Sequence, residues 1–381
     1  MYNKNVLIGL FNKKKNKKKS IEYLNELKIL LKIFNGSVKK KFLQKRFKPN
    51  NLTFVGKGFL EKISIYVNNN FIDTVIFDDE LSLSQIKNIE KKINCVVTDR
   101  TKLILDIFSY RAKTYYAKMQ VKLAKYEYLL PRLKHMWGHL KRQKGGIGLR
   151  GPGEKEIETD RRLLRTSIKI LKKKLKKVNN QILIQRKNRQ NKTSISLVGY
   201  TNVGKTSIIN QLTKKNLLIE NKFFTTLDTN VNKFYFKGKN FFLVDTIGFL
   251  RKIPTKLIES FKSSILEIKE SNILLHIVDI TSNFFLDKFL YVINFLFELN
   301  VINKKIITVF NKIDKIKNFN FNFIKNLCKN KNIIINKKNI IFILYKKKKI
   351  YKKKSLFICI STKKKKKILK LKKIIYNESL K

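Results

Sequence analysis

The chain has 381 residues, enough for two or three domains, and its 43% hydrophobic share supports a sizeable core beside 29% charged residues. With 86 Lys and Arg against 26 Asp and Glu, a formal charge of +60 and a pI near 10.2, it points to a polyanion partner, RNA above all. No apolar run approaches the roughly 18 residues of a membrane-spanning helix, Val6–Phe11 is too short for a signal-peptide core, and the dispersed Cys95, Cys328 and Cys359 form no metal-type or redox pair and fit a reducing compartment.

Lys, Asn, Ile and Phe are all abundant, and all have codons made only of A and T. Drift in an AT-rich genome would produce this composition without selection for charge, as would selection for a polyanion partner, and a chain this basic meets RNA either way. The same drift makes the rare residues informative. Of 14 glycines, five lie in Gly145–Gly153 and three more are Gly199, Gly204 and Gly248. Such clustering marks backbone positions that tolerate no side chain.

In chain order, residues 1–100 read as a small α/β domain. Val6–Phe11, Thr53–Val55, Thr74–Phe77 and Cys95–Thr98 are strand-like, while Ser20–Phe34 and Leu81–Lys92 have helical apolar spacing. From Leu103 to about Leu140 the spacing predicts a long helix, with Pro131 as its kink or break. The Lys144–Gly153 stretch cannot be helix. A second long helix runs from Glu154 to about Arg186, with Ile157, Leu163, Leu164, Ile168, Leu171 and Leu175 on one face. Two long helices joined by a Gly-rich loop predict an antiparallel hairpin over 101–190.

Residues 191–381 alternate strand and helix, the pattern of a mostly parallel sheet. Ser194–Val198, Phe241–Val244, Ile273–Val278, Ile306–Phe310 and Phe357–Ile360 are the strands. Helices are expected over Thr206–Leu212 and Lys366–Ile375, and residues 315–355, rich in Lys, Asn and Ile, are hard to read. The expected fold is thus α/β: a small N-terminal α/β domain, a long antiparallel helical hairpin, and a C-terminal P-loop GTPase domain.

Three motifs in fixed order define that last assignment. Gly199-Tyr200-Thr201-Asn202-Val203-Gly204-Lys205-Thr206 lies between a buried strand and a helix. Its backbone N–H groups are expected to cradle phosphates, with Lys205 on the β- and γ-phosphates and the Thr206 hydroxyl on Mg²⁺. Asp245-Thr246-Ile247-Gly248 follows a second strand, placing a carboxylate on the metal side and the Gly248 N–H near the γ-phosphate. Asn311-Lys312-Ile313-Asp314 follows a third. Asp314 would accept two hydrogen bonds from the guanine edge, which adenine cannot supply, and the resulting discrimination can reach roughly 10⁴–10⁵. Backbone groups of Ile360, Ser361 and Thr362 are expected on the base. Phe224-Thr225-Thr226-Leu227-Asp228 is the expected first switch, with Thr226 closing on Mg²⁺ only when the γ-phosphate is present. Lys205, Thr226 and Gly248 are the expected catalytic residues. Phe249 stands where Ras-like enzymes place the Gln that orients the attacking water, so intrinsic hydrolysis should be slow. Asn202 is a candidate for holding K⁺ near the phosphates.

The stretch Gly145-Gly-Ile-Gly-Leu-Arg-Gly-Pro-Gly-Glu-Lys-Glu-Ile-Glu-Thr-Asp-Arg-Arg162 closely resembles the hallmark of the HflX GTPase family. Phe77–Gln85, Asp99–Phe108, Tyr126–Leu133 and Asp245–Pro254 resemble other parts of that family. The resemblance covers about residues 5–315. It implies a GTPase using Mg²⁺ and binding the large ribosomal subunit and its rRNA, able to split or rescue ribosomes. It further implies a monomer in the cytoplasm, without stable membrane insertion, peripheral membrane contact being the alternative location. The Gly145–Gly153 loop with Arg142, Arg150, Arg161 and Arg162 would face RNA, with Trp137 and His139 placed either to stack on a base or to pack in the hairpin. The segment between Asp314 and Ser361 is longer than is usual in the family, and no separate carboxy-terminal domain is expected. A second reading is an RNA-binding assembly or silencing factor with vestigial turnover. A tRNA-modification GTPase is disfavoured, because the domain that role needs is not visible.

Overall fold

The computed structural model describes residues 2–12, 16–133, 152–187, 192–214, 230–252, 262–316, 333–335, 339–346 and 349–380. The chain forms two compact units, Met1–Val178 with Lys252–Ser260, and Asn179–Arg251 with Phe261–Lys381.

The first unit is built on a parallel sheet of β1 (Lys4–Phe11), β2 (Ser37–Lys45), β3 (Thr74–Phe77) and β4 (Val96–Asp99), in the order β2-β1-β3-β4. Central β1 and β3 are almost continuously buried, as expected of parallel strands covered on both faces. Helices α1 (Lys17–Leu31), α2 (Lys57–Asn69) and α3 (Leu83–Ile93) connect them. Ser82 and Gln85 form a reciprocal capping box at the start of α3, and left-handed Asn94 ends it. One core joins Val6, Ile8, Val75 and Phe77 of the strands to Leu60, Ile63, Ile89 and Ile93 of the helices.

The long helix expected from Leu103 is two helices, α4 (Arg100–Arg111) and α5 (Tyr115–Leu129). One break, not expected from the sequence, lies at Ala112–Thr114; the other follows Leu129, where Leu130–Arg132 turn around Pro131 as expected. Asp99 caps α4 by accepting from the Lys102 N–H (2.8 Å), and Thr114 caps α5 by accepting from the Ala117 N–H (3.1 Å). The chain enters α6 (Pro152–Lys187) two residues before the end of the Lys144–Gly153 stretch expected to be non-helical, because Pro is well suited to a first helical position; the helix is about 54 Å long at 1.5 Å per residue. Leu175 of α6 packs on Met119 and Leu123 of α5, and Lys172 pairs with Glu127. Thr53–Val55 is turn with one isolated bridge, Asn50 to Phe54, not strand. The Asn50 side chain accepts from Leu52 and Thr53, which favours the turn.

The second unit carries an eight-stranded sheet in the order β10-β11-β12-β9-β8-β5-β7-β6. Its strands are β5 (Thr193–Gly199), β6 (Asn230–Phe236), β7 (Lys239–Asp245), β8 (Ile273–Asp279), β9 (Lys305–Asn311), β10 (Ile333–Ile335), β11 (Asn339–Lys346) and β12 (Lys349–Cys359). The five strands β12, β9, β8, β5 and β7 run parallel, and β6, β10 and β11 are antiparallel additions. Helices α7 (Lys205–Thr213), α8 (Lys262–Glu270), α9 (Phe285–Glu298) and α10 (Ile368–Leu380) complete it. Phe289, Val292, Ile293 and Leu296 of α9 pack on Leu274, Val278 and Phe310 of the sheet. Among the described residues, no helix is long and apolar enough to cross a membrane, and no group of His, Cys, Asp and Glu is placed to hold a metal ion.

Arg100 is 1% exposed and bonds to Glu26 and Asp78, both buried. Removing one partner of a buried ionic cluster leaves uncompensated charge, so Arg100→Met is expected to lower stability by about 3–5 kcal/mol. Urea unfolding followed by circular dichroism measures this, and a loss below about 1 kcal/mol would show the cluster to be neutral.

Candidate nucleotide-binding site

The site grows from the strand order. β5 lies between β7 and β8, so the chain leaves β5 toward one neighbour and later returns on the other side. This reversal opens a crevice at the carboxyl ends of the strands, where open α/β sheets bind ligands. Gly199, Asp245, Asp279, Asn311 and Cys359 are the last residues of β5, β7, β8, β9 and β12, and all five strands point the same way.

The loop after β5 turns into α7 through Gly204, with φ of 96°. A Cβ there would lie 2.4 Å from Asn311 Nδ2, so both conformation and space require glycine. Lys205 is 8% exposed, and its ammonium donates to the carbonyls of Gly199 (3.3 Å) and Tyr200 (3.0 Å). Burial pulls it down to about 8, with the Asp245 carboxylate opposing. The Thr201 hydroxyl is buried with no hydrogen-bond partner among the described residues. A buried cation turned on its own loop, beside an unsatisfied hydroxyl at a helix N-terminus, suits an anion of several oxygens. Thr206 Oγ1 donates to Asp245 Oδ2 at 3.0 Å, which brings the hydroxyl and carboxylate of two motifs together.

Gly248 is packed against the loop, where a Cβ would lie 2.8 Å from Thr201 Cγ2 and 3.0 Å from Lys205 Nζ. Phe249 then bridges back. Its N–H donates to the Gly199 carbonyl (3.0 Å), and its carbonyl accepts from the Thr201 N–H (2.9 Å). Its half-buried ring packs on Phe295, centroids 4.8 Å apart, and against the edge of the core. Thr246 Oγ1 donates to the Leu197 carbonyl, and Ile247 is buried.

On the base side, Asn311 is fully buried, and its Nδ2 donates to the Val203 carbonyl at 2.9 Å. Its Oδ1 accepts from the Thr362 N–H at 3.3 Å. Lys312, left-handed at φ 66°, donates to the Asn202 carbonyl (2.8 Å) and pairs with Asp279 (2.6 Å). The Asp314 carboxylate accepts from the Ser361 hydroxyl at 2.5 Å. That bond above all, with Lys315 and Lys363 nearby, holds it below the usual carboxylate range. Ile313 and Ile360 are buried beneath, the Ile313 N–H donating to the Ile360 carbonyl at 3.4 Å.

The structure therefore brings Gly199–Thr206, Asp245–Gly248, Asn311–Asp314 and Ile360–Thr362 to one end of the sheet. Phe224–Asp228, including Thr226, lies outside the described residues, as do Trp137, His139, Arg142 and the Gly145–Gly151 stretch. Sequence reasoning missed Asp279 and Tyr291. Asp279 ends a strand with only its helix-side neighbours for context. Tyr291 reads as one more apolar-face residue of α9, yet its hydroxyl donates to the Leu250 carbonyl (3.0 Å), while Tyr200 Oη accepts from the Arg251 N–H (3.1 Å).

A base-side loop whose own side chains hold the phosphate loop is the construction of the guanine-specific P-loop hydrolases, the GTPases. Comparison with known proteins narrows the class. Three family models match in succession: GTP-binding GTPase N-terminal over residues 21–109, GTP-binding GTPase Middle Region over 111–189, and 50S ribosome-binding GTPase over 194–312. GTPase HflX of Flavobacterium psychrophilum is 50% identical over 316 residues, covering 83% of this chain and 76% of that protein. GTPase HflX of Escherichia coli is 37% identical over 305 residues, covering 79% and 71%. Among solved structures, the crystal structure of SsGBP with GDP is similar at a TM-score of 0.50 and 25% identity, covering 98% of each chain. The chain belongs to the HflX GTPase family, and its reaction is hydrolysis of GTP to GDP and phosphate.

The depressed Lys205 ammonium gives a pH test. Free, it titrates near 8; among phosphate oxygens it should stay protonated toward its ordinary 10.5. Nucleotide binding between those values should then take up a proton, and affinity should fall as pH rises through that window. Calorimetry in two buffers of different ionisation enthalpy reads the proton directly. Zero uptake would mean that Lys205 does not meet the phosphates.

Proposed function

We propose that this chain is a nucleotide-switched ribosome factor. With GTP it binds the large ribosomal subunit through rRNA and couples GTP binding and hydrolysis to splitting or rescue of ribosomes. It works as a monomer in the cytoplasm. The observation that carries this reading is the coincidence of the 50S ribosome-binding GTPase match, 194–312, with the strand-end site just described.

In this reading the Gly199–Lys205 backbone and the Lys205 ammonium hold the phosphates, and the Gly248 N–H meets the γ-phosphate. Thr206 and Thr226 are the metal ligands, with Asp245 beside Thr206, and the 3.0 Å approach of Thr206 to Asp245 fits a Mg²⁺ site. Mg²⁺, when bound, would neutralise charge between the β- and γ-phosphates. Phe224–Asp228 forms the first switch. Asp314 accepts from the guanine edge, framed by Asn311, Lys312, Ile313 and the backbone of Ile360–Thr362. Residues 1–100, 101–190 and 191–381 act as an N-terminal domain, a hairpin bearing the RNA-facing Gly145–Gly153 loop, and the GTP-binding domain.

Phe249 cannot orient water, because its ring is committed to Phe295 and the core. Intrinsic turnover should be slow, and the ribosome should supply what is missing. Purified protein is therefore expected to hydrolyse GTP at least tenfold faster with large subunits than alone, and Lys205→Ala to lose both turnover and GTP-dependent subunit release. The same Phe249 packing favours a second reading, an assembly or silencing factor with vestigial turnover. Unstimulated hydrolysis together with nucleotide-independent binding would establish that reading instead.

Asn202 sits in the loop at φ 60° with its carbonyl bonded to Lys312. We assign its side chain to a K⁺ ion near the phosphates, and turnover in K⁺ should exceed turnover in Na⁺ severalfold. Equal rates in the two salts would remove the ion from the mechanism.

A further inference from the structure

The antiparallel ribbon β11–β12 is the part of the second unit that neither the nucleotide site nor the family matches account for. The three matched regions end at residue 312, before β10 begins at Ile333. Only Leu356–Cys359 of β12 pair with β9, while β11 and β12 stay paired from Asn339 opposite Leu356 out to Lys346 opposite Lys349. β9 starts at Lys305, which falls level with Lys354 when the Leu356–Ile307 register is extended. Residues 349–353 thus overhang the sheet, about 16 Å of strand. β12 runs parallel to β9, whose carboxyl end carries Asn311, so the overhang lies at the end of the sheet opposite the nucleotide site.

Its chemistry is one-sided. Between Asn339 and Ile360 the sequence has seven lysines and no carboxylate, and none of the chain's 26 Asp and Glu lies between Lys315 and Asn377. Neighbouring lysines are also sorted by role. Lys353 is half-buried, donates to the Asn303 carbonyl (3.2 Å) and is pulled below its ordinary range by burial. Ser355, on the same face, is buried and bonds to the Ile306 carbonyl (2.7 Å). Lys352 and Lys354 alternate onto the other face and are exposed. They stand about 7 Å apart by strand rise, the repeat of neighbouring phosphates along an extended nucleic-acid strand. The register sets them opposite Ile343 and Ile341, residue types that carry no charge to pair with them.

We infer that the β11–β12 ribbon is a second RNA-binding element, holding the phosphate backbone of RNA through Lys352 and Lys354, independent of sequence and of nucleotide state. It rests on the proposed function only for the class of partner. Backbone contacts suit RNA, whose duplex hides its base edges in a deep, narrow groove.

The test compares the full chain with K352Q/K354Q and with a control, K365Q/K370Q, which removes two lysines from the segment after β12. Lys353 is left in place because it anchors the strand. Each protein is titrated with a labelled RNA stem-loop across a potassium chloride series, and unchanged intrinsic GTP turnover confirms folding. If each of the two lysines neutralises one phosphate, the slope of log affinity against log salt should fall by about 2 in the ribbon variant and by clearly less in the control. Equal losses in both variants would mean that net charge alone matters, and no loss in the ribbon variant would mean that the ribbon does not touch RNA. Ribbon-dependent binding to phosphatidylglycerol vesicles but not to the stem-loop would overturn RNA as the occupant. Ribbon-dependent stem-loop binding by a chain that ignores large subunits would leave this inference standing while the proposed function fell.

Discussion

The buried side-chain amide of Asn311 joins the two halves of the nucleotide site. Its nitrogen holds the Val203 carbonyl in the phosphate loop, and its oxygen accepts from Thr362 on the base side. Gly204 must lack a side chain because Asn311 occupies the space that a Cβ would need. Lys312 adds a parallel tie to Asn202 and anchors itself on Asp279. With these bonds made, the Gly199–Thr206 loop is tied to the Asn311–Asp314 loop, to which we assign the guanine base. Two binding determinants from distant parts of the chain then behave as one rigid receptor, which is the preorganisation that tight, selective binding requires.

The segment after Gly248 is held just as firmly. Phe249 pairs through its backbone with Gly199 and Thr201, and the hydroxyls of Tyr200 and Tyr291 engage Arg251 and Leu250. The ring of Phe249 is anchored against the edge of the core rather than aimed at the phosphates. An aromatic residue at this position therefore serves position rather than chemistry. A Gln there would be free to order water but would leave a gap beside Phe295.

What could be read in the sequence follows from where the physics is local. The phosphate loop, Asp245 and Asn311–Asp314 were legible because each needs particular residue types at fixed spacing after a buried strand. Parallel strands such as β1 and β8 were legible as unbroken apolar runs. Strand β2 was not, because as an edge strand it carries Lys39, Lys40, Lys41 and Lys45 and shows no alternation. β6 was missed for a related reason, since it sits at the opposite edge of its sheet with polar residues between Val231, Phe234 and Phe236. The break at Thr114 was overlooked because apolar spacing continues through it, and only the cap hydrogen bonds end one helix and start the next. Thr53–Val55 looked like strand from its β-branched residues, but the Asn50 side chain bends that backbone into a turn.

The lysines show why composition alone could not settle function. Lysine is abundant throughout the chain, yet the fold uses individual lysines in incompatible ways. Lys205 is buried and gives up its proton more readily because of desolvation, Lys312 is a cross-brace, and Lys353 caps a carbonyl at the base of the ribbon. Lys352 and Lys354, one residue either side of Lys353, do none of this and remain exposed. Strand alternation separates them, because a period of two sends neighbours to opposite faces whatever the codon bias that produced them. A lysine run that drift could have written without selection is therefore divided by the backbone into a structural set and a surface set. Only the surface set is free to release counterions on meeting a polyanion.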